Sequence, residues 1–171
     1  MTLQTLKIAD IVERTSIDRW TAQYVLKHPD ALPGMPKAGS QGVHRVFSIE
    51  QALRLAICTE LVKGGLALEA AGKAVVNCEK RFRDWGKGEN RKKQMFKGSI
   101  NNPWIIEVLD HEYVLLRKSG KLKRSDYHLT IDIYYSVSKG RWASEDPDIR
   151  EAKTRYEVNV TFIRHLLTAS A

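Results

Sequence analysis

Cysteine is scarce in this sequence, and long apolar runs are missing. The chain of 171 residues has two cysteines, Cys58 and Cys78, each in a segment of helical pattern and neither close to a second thiol in the sequence. Two such thiols exclude a disulfide framework and fit a reducing, intracellular setting. No run approaches the ~18 apolar residues of a membrane-spanning helix, and no charged-then-apolar leader opens the chain. The sequence therefore predicts a soluble, cytoplasmic protein with no membrane partner.

Motifs that carry catalysis or bind a metal are also missing. The sequence lacks the two glycine-rich phosphate-binding patterns, G-x-x-x-x-G-K-S/T and G-x-G-x-x-G. It also lacks H-E-x-x-H and a nucleophile elbow. His111, His128 and His165 fall on three different predicted elements, and isolated surface histidines are far commoner than three that converge on a metal. We therefore expect no enzymatic activity, no cofactor and no metal site.

A basic excess is present, and it is unevenly distributed. The net charge is +8 and the pI is near 9.5. Residues 1–100 carry 17 Lys and Arg against 10 Asp and Glu, whereas residues 101–171 carry 11 against 10. A basic surface can serve solubility alone, but this excess also favours polyanionic partners such as nucleic acid, an acidic membrane surface or an acidic protein. We expect a polyanion to bind the N-terminal part.

The first 28 residues predict two short helices joined by a tight turn of about four residues. The segment LKIADIVERT repeats apolar residues at helical spacing, and Ile17 can fill the core between the helices. Asp18 is a favourable N-cap for a second helix over about Arg19–His28. This is the spacing of a helix-turn-helix, in which the second helix can enter the major groove of DNA.

The next segment, HPDALPGMPKAGSQG, contains three prolines and three glycines, which exclude a regular helix or a long strand. Short extended pieces near Ala38 and over Val43–Phe47 predict a hairpin tipped by residues 39–42, a wing small enough to follow a narrow groove.

Two further helices are predicted after the wing. Ser48 and Gln51 match a capping box, an apolar stripe follows, and Gly64-Gly65 predicts a left-handed cap at the helix end. A fourth helix, ending near Trp85, places apolar residues on one face. The segment KRFRDWGKGENRKKQMFK then predicts a basic linker, which can lie along phosphates or be a solvated hinge.

The last part of the chain changes its hydrophobic period. The segments YHLTIDIYYSV and YEVNVTF alternate apolar and polar residues, which predicts half-buried strands of an antiparallel sheet. A third strand is predicted over Tyr113–Leu116, and a helix after Asn102-Pro103, with proline in its first turn. The fold class is therefore α+β, with an N-terminal winged helix-turn-helix domain over residues 1–82, a basic linker over 83–102 and a small C-terminal domain with an antiparallel sheet over 103–171.

The N-terminal part resembles the winged-helix DNA-binding domain of MerR-type transcriptional regulators. The resemblance covers roughly residues 5–76 and rests on LKIADIVERTSIDRWTAQYV, on HRVFSIEQALRLAICTELVKGGLALEAAGKAV and on the Pro/Gly-rich segment between them. It places Thr21 and Tyr24 at the threonine and the aromatic of the recognition helix, and Arg45-Val46-Phe47 at the Arg-x-aromatic step that ends the wing.

The sequence also departs from the pattern of that family. Gln23 stands where an arginine is expected, Ser16 replaces a glycine of the first turn, and the long dimerising helix and the C-terminal cysteines of metal-sensing members are missing. The resemblance therefore supports DNA binding more than metal or redox sensing. Excisionases and phage terminase small subunits use similar winged helices and remain alternatives.

The candidate DNA-binding residues lie on the second helix and beside the wing. Helical periodicity places Arg19, Gln23 and Lys27 on one face, where Arg can read guanine and Gln can read adenine. Trp20 can pack over a sugar or face the core, and Arg45 can reach a phosphate or the minor groove, or can pair with Glu50 at the surface. The complete candidate set is Arg19, Trp20, Thr21, Gln23, Tyr24, Lys27, Lys37, His44 and Arg45.

The function expected from these patterns is sequence-specific binding of double-stranded DNA by a nucleoid-associated transcriptional regulator. The C-terminal sheet is expected to form a homodimer that presents two recognition helices. Two alternatives stay open: an architectural factor of the excisionase or phage packaging type, and a protein-interaction adaptor whose sheet presents an edge to a partner.

Overall fold

The chain divides into two compact units. The structure, a computed structural model, describes residues 5–37, 44–119, 134–136, 141–143 and 153–169. The first unit contains residues 1–72 together with 163–171, and the second contains residues 73–162. The sequence patterns had suggested domains over residues 1–82 and 103–171 with a linker between them, whereas these units meet after residue 72 and again after residue 162. The described part of the chain has no helix that is both long and apolar enough to cross a membrane.

The fold is mixed α+β, as predicted, with two antiparallel sheets. The described helices are α1 (Ile8–Thr15), α2 (Arg19–Lys27), α3 (Ile49–Lys63), α4 (Leu68–Gly88) and α5 (Val160–Thr168). The described strands are β1 (Thr5–Lys7), β2 (Val46–Ser48), β3 (Trp104–Leu109), β4 (Tyr113–Lys118), β5 (Tyr134–Ser136), β6 (Arg141–Ala143) and β7 (Arg155–Asn159).

A strand that the sequence patterns did not predict opens the first unit. β1 pairs antiparallel with β2, and Leu6 lies opposite Phe47, both of them buried. The partner of β2 is therefore an N-terminal strand. The predicted wing strand near Ala38 and the hairpin tip at 39–42 lie outside the described residues.

Helices α2 and α3 of the first unit begin at their predicted N-caps, and α3 ends at its predicted glycines. Three residues separate α1 from α2: Ser16, which has a left-handed φ of 56°, the buried Ile17 and the N-cap Asp18. The capping box at the start of α3 is formed in both directions, with bonds of 3.0 and 3.2 Å between Ser48 and Gln51. Gly65, at a φ of 99°, follows the end of α3, where a left-handed residue was predicted.

The C-terminal helix supplies the remaining part of the first unit. Arg14 on α1 donates hydrogen bonds to the carbonyl oxygens of Leu167 and Ala169 at 3.0 and 2.9 Å. Arg164, whose side chain is buried, forms an ion pair of 3.0 Å with Glu50 on α3. These contacts join the two termini of the described chain within one unit.

The segment 83–102, predicted as a basic linker, is more structured than expected. α4 continues to Gly88, three residues beyond the predicted end near Trp85. Met95 and Phe96 are fully buried, and Arg83 donates to the carbonyl oxygens of Asn90, Arg91 and Lys93. The turn after α4 is thus held by buried apolar side chains and by one arginine.

The second unit is built on a sheet of strand order β6-β5-β4-β3-β7. The helix predicted after Asn102-Pro103 is wrong, because residues 104–109 form the strand β3 between β4 and β7. All six residues of β3 are buried, so the strand lacks the polar alternation that identifies a half-buried strand. The strand over Tyr113–Leu116 is confirmed as part of β4.

The two alternating segments are strands only in part. Of YHLTIDIYYSV, Tyr134–Ser136 form β5, and the residues from 127 to 133 lie outside the described part of the chain. YEVNVTF was predicted as a strand to its end, but the chain turns into α5 at Val160, and Phe162 is exposed rather than inward.

Within this unit the Thr161 hydroxyl accepts a hydrogen bond from the Trp104 amide at 2.9 Å and donates to the Phe96 carbonyl at 3.1 Å. These bonds fix the start of α5 beside β3.

One buried carboxylate lies within the sheet of the second unit. Glu107 on β3 forms ion pairs with Arg117 on β4 and with Arg155 on β7, each at 2.8 Å. Arg117 also pairs with Glu157 on β7 at 2.6 Å. Desolvation opposes the charged form of Arg117, but its bonds to Glu157 and Glu107 outweigh it and raise the pKa of Arg117. The two ion pairs give the buried carboxylate compensating charges and link β3 to both of its neighbouring strands, β4 and β7.

Candidate nucleic-acid interface

The N-terminus of α2 is held by the side chain of Asp18. Its Oδ2 atom accepts hydrogen bonds from the Thr21 amide at 2.6 Å and from the Thr21 hydroxyl at 2.7 Å. The side-chain bond from Thr21, followed by the backbone bond, lowers the pKa of the Asp18 carboxyl. Since the hydroxyl proton of Thr21 is directed at Asp18, this candidate DNA-binding residue positions the start of the helix.

The outward face of α2 carries most of the candidate residues. Ala22, Val25 and Leu26 are buried and attach the helix to its unit. On the opposite side Trp20 is 80% exposed and Tyr24 is 48% exposed. Trp20 therefore faces solvent, which decides against its placement in the core. Arg19 and Lys27 are also exposed and Gln23 is half-buried, so these five residues form one continuous polar and aromatic surface, the α2 outer face.

His28, which the sequence patterns did not single out, lies next to the α2 outer face. The rings of Tyr24 and His28 lie edge to face, with their centroids 4.8 Å apart. Trp20, Tyr24 and His28 follow at intervals of four residues, so the helical period placed them in one row. That spacing was the available signal for His28.

Arg45 braces the other end of α2. It is half-buried, and its Nη1 donates to the carbonyl oxygen of Leu26 at 3.0 Å. That carbonyl belongs to the last turn of α2, where backbone acceptors have no partner within the helix. The guanidinium charge there also complements the negative end of the helix dipole. One bond uses one of the five N–H donors of an arginine, so the brace is compatible with a further contact.

The loop after α2 is attached to α3. Gln51 Nε2 donates to the carbonyl oxygen of Gly34 at 2.9 Å, and Gly34 has a left-handed φ of 83°. Lys37 and His44 are exposed on either side of residues 38–43, which lie outside the described part. The structure thus brings six candidates together on or against α2 and leaves Lys37 and His44 on the flanking loop, while Thr21 serves as a capping partner.

Neither cysteine contributes to this surface. Cys58 on α3 and Cys78 on α4 are buried, and burial raises the pKa of each thiol to about 12. Both are small apolar residues of the core. Among the described residues no group of three His, Cys, Asp or Glu side chains lies close enough to hold a metal ion, and His111 is in the turn between β3 and β4.

Comparison with known proteins adds no assignment. No protein-family model matches the chain, and no curated protein matches its sequence. The geometry of α2 and its surroundings is therefore the basis for a functional assignment.

Proposed function

We propose that the chain is a sequence-specific double-stranded DNA-binding protein that acts as a transcriptional regulator. In this proposal α2 is the recognition helix of a winged helix-turn-helix, and the segment before β2 is its wing. The observation that supports it most is the α2 outer face, where the exposed Arg19 and Lys27 and the half-buried Gln23 lie beside two exposed aromatic side chains.

The rigid attachment of α2 supports this role. A recognition helix must hold its side chains in one orientation toward the base edges. Here Asp18 caps the first turn, Arg45 binds the last turn, and the inner face is buried.

Charge supports the choice of a polyanion. The first 100 residues hold most of the basic excess, and Lys27, Lys37 and His44 are exposed near α2. Phosphate contacts of this kind fix the register of a protein on DNA, whereas Arg19 and Gln23 can read bases. The second unit is proposed to form the homodimer, since two recognition helices would double the length of the site that is read.

The test is selection from a pool of randomised duplexes, followed by fluorescence-anisotropy titration of the enriched duplex and a scrambled duplex at several salt concentrations. We expect tight binding of the enriched duplex only. Gln23→Ala should reduce the ratio between the two affinities, because it removes a base contact. Lys27→Ala should weaken both and reduce the slope of log K against log salt by about 0.9, the effect of one phosphate.

The matched control is Lys73→Ala, which removes one exposed positive charge from α4 and should leave affinity and slope unchanged. Equal affinity for the enriched and scrambled duplexes would contradict the proposal. Nuclease footprints that extend over several adjacent sites would instead assign an excisionase or packaging role.

The contribution of Arg45 can be separated from that of the outer face. Arg45→Ala removes both the brace to Leu26 and a positive charge, whereas Arg45→Lys keeps the charge and loses the planar geometry of the guanidinium. We expect Arg45→Ala to weaken DNA binding more than Lys27→Ala does, and Arg45→Lys to recover only part of the loss. Full recovery by lysine would show that charge alone acts at this position.

A further inference from the structure

The α2 outer face is unusually aromatic for a helix surface in water. Trp20 is four-fifths exposed and Tyr24 about half exposed, one helical turn apart. Large aromatic side chains bury much apolar surface when they find a partner, and such a pair in solvent marks a recognition surface. Polar hydrogen bonding to phosphates does not require this apolar area.

Gln23 belongs to the same stripe as the two aromatic residues. Trp20, Gln23, Tyr24 and Lys27 follow the spacing i, i+3, i+4 and i+7, so they face one direction. In the major groove an A·T pair offers the adenine N6 and N7 atoms to an amide and the thymine 5-methyl group to an apolar side chain. An amide beside two exposed aromatic side chains matches that pair of features.

Building on the proposed function, we infer that the α2 outer face selects A·T-containing steps by contacting thymine 5-methyl groups. Trp20 and Tyr24 supply the apolar contact, and the Gln23 amide binds the adenine edge. The methyl group is the one apolar feature in the major groove of unmodified DNA. The aromatic pair therefore has a specific ligand within the site already proposed for α2.

The charges that surround the pair favour DNA over a protein partner. Arg19 and Lys27 are exposed at the two ends of the α2 outer face, where their positive charges can contact phosphates. The negative group at this end of the helix, Asp18, is bonded to the amide and hydroxyl of Thr21. Trp20 and Tyr24 can therefore contact bases while Arg19 and Lys27, on either side of them, contact phosphates.

Replacement of thymine by deoxyuridine tests the inference directly, because it removes only the methyl group and keeps the pairing. The enriched duplex is prepared with thymine and with deoxyuridine at every such position, and both are titrated by fluorescence anisotropy. We expect wild-type affinity to fall about fourfold for each methyl group in contact, the equivalent of burying one methylene.

Variants assign the effect to the two aromatic residues. Trp20→Ala and Tyr24→Ala should bind the two duplexes with more nearly equal affinity, whereas Tyr24→Phe, which keeps the ring, should retain the thymine preference. Lys73→Ala should behave as wild type. The comparison of two duplexes with the wild-type protein needs no variant, so it stands even if an alanine variant fails to fold.

The outcomes separate this inference from the proposed function. If the wild type prefers the enriched duplex over the scrambled one but binds thymine and deoxyuridine forms equally, the methyl contact is wrong and sequence-specific binding stands. If no duplex is enriched, both the inference and the proposed function are wrong.

Discussion

At the scale of single residues, the start of α2 depends on a carboxylate in its charged form. Asp18 accepts two hydrogen bonds from Thr21, which lowers the pKa of the carboxyl below the ordinary value of 3.8. A group whose pKa is lower in the folded chain binds fewer protons there than in the unfolded chain. Its contribution to stability is therefore present above the unfolded pKa and is lost as the pH falls through the folded pKa.

Asp18→Asn tests this pH dependence, since asparagine can also cap a helix but does not ionise. We expect the wild type to be more stable than the variant above about pH 5, and the difference to shrink as the pH falls below about 4. Urea unfolding at a series of pH values measures it. Thr21→Val removes the side-chain hydrogen bond to Asp18, which is the larger of the two causes of its lowered pKa. The pH range over which the stability depends on Asp18 should therefore become narrower. If the difference in stability between the wild type and Asp18→Asn does not change with pH, the charge of Asp18 does not stabilise the start of α2.

Gly72 is required by the close approach of α4 to the loop after α2. A Cβ atom at this position would lie 1.7 Å from the carbonyl oxygen of Ala31, far inside contact distance. Alanine normally favours a helix over glycine by ~1 kcal/mol, so the sign of the effect is reversed here. We expect Gly72→Ala to lower the free energy of unfolding by about 3 kcal/mol, at the upper end of overpacking costs.

The control for Gly72→Ala is the neighbouring Lys73→Ala, an exposed change in the same helix. It should shift the free energy of unfolding by less than about 0.5 kcal/mol. Denaturant titration of both variants gives the comparison. A Gly72→Ala protein as stable as the wild type would show that the backbone of residues 31–32 can move away from α4.

At the scale of elements, α5 is part of the hydrophobic core of the first unit. Leu167 is fully buried, whereas His165, two residues earlier on the same helix, is exposed. Leu167→Ala should therefore cost about 2–5 kcal/mol of unfolding free energy, and His165→Ala should be close to neutral. Thermal and urea unfolding followed by circular dichroism measure both. If both variants lose only a little unfolding free energy, α5 is not part of the core.

The helices and their caps were predictable because their signals are local. Asp18, the Ser48–Gln51 capping box and the glycine after α3 each act within four residues, so the sequence contains both partners. β1 could not be found in this way. It has three residues, and its partner Phe47 lies about forty positions from Leu6, so only the folded chain reveals the pairing.

Two other elements escaped prediction for different physical reasons. β3 is buried on both faces, and a short apolar run without alternation does not distinguish a strand from a helix. Val160 and Phe162 continue the alternation of β7, yet the chain enters α5 there, because side-chain period two over so few residues does not determine where a strand ends. Of the candidate site, the outward α2 residues followed from helical period, whereas the bond from Arg45 to Leu26 required the tertiary fold.

At the scale of the whole molecule, the first unit is discontinuous in sequence. Residues 163–171 belong to it although the entire second unit precedes them in the chain. A fragment of residues 1–88 would lack the acceptors of Arg14 on α5, the ion-pair partner of Glu50 and the buried Leu167.

We expect the fragment 1–88 to unfold at a lower temperature than the full chain, because it loses part of the core and leaves Arg14 and Glu50 without these partners. Calorimetry of the fragment, alone and with an added peptide of residues 160–171, measures the effect. The peptide should raise the Tm in a concentration-dependent way, and a peptide with Leu167→Ala should do so less. An unchanged Tm for the fragment alone would show that residues 1–72 are self-sufficient.

The return of α5 to the first unit also sets an order of events during synthesis. The proposed DNA-reading helix α2 leaves the ribosome early, but the residues that complete its unit follow only after residues 73–162. At ~5–20 residues per second, that interval is about 5 to 20 seconds. During this time the nascent chain carries an incomplete first unit, which lacks the buried Leu167 and the acceptors of Arg14.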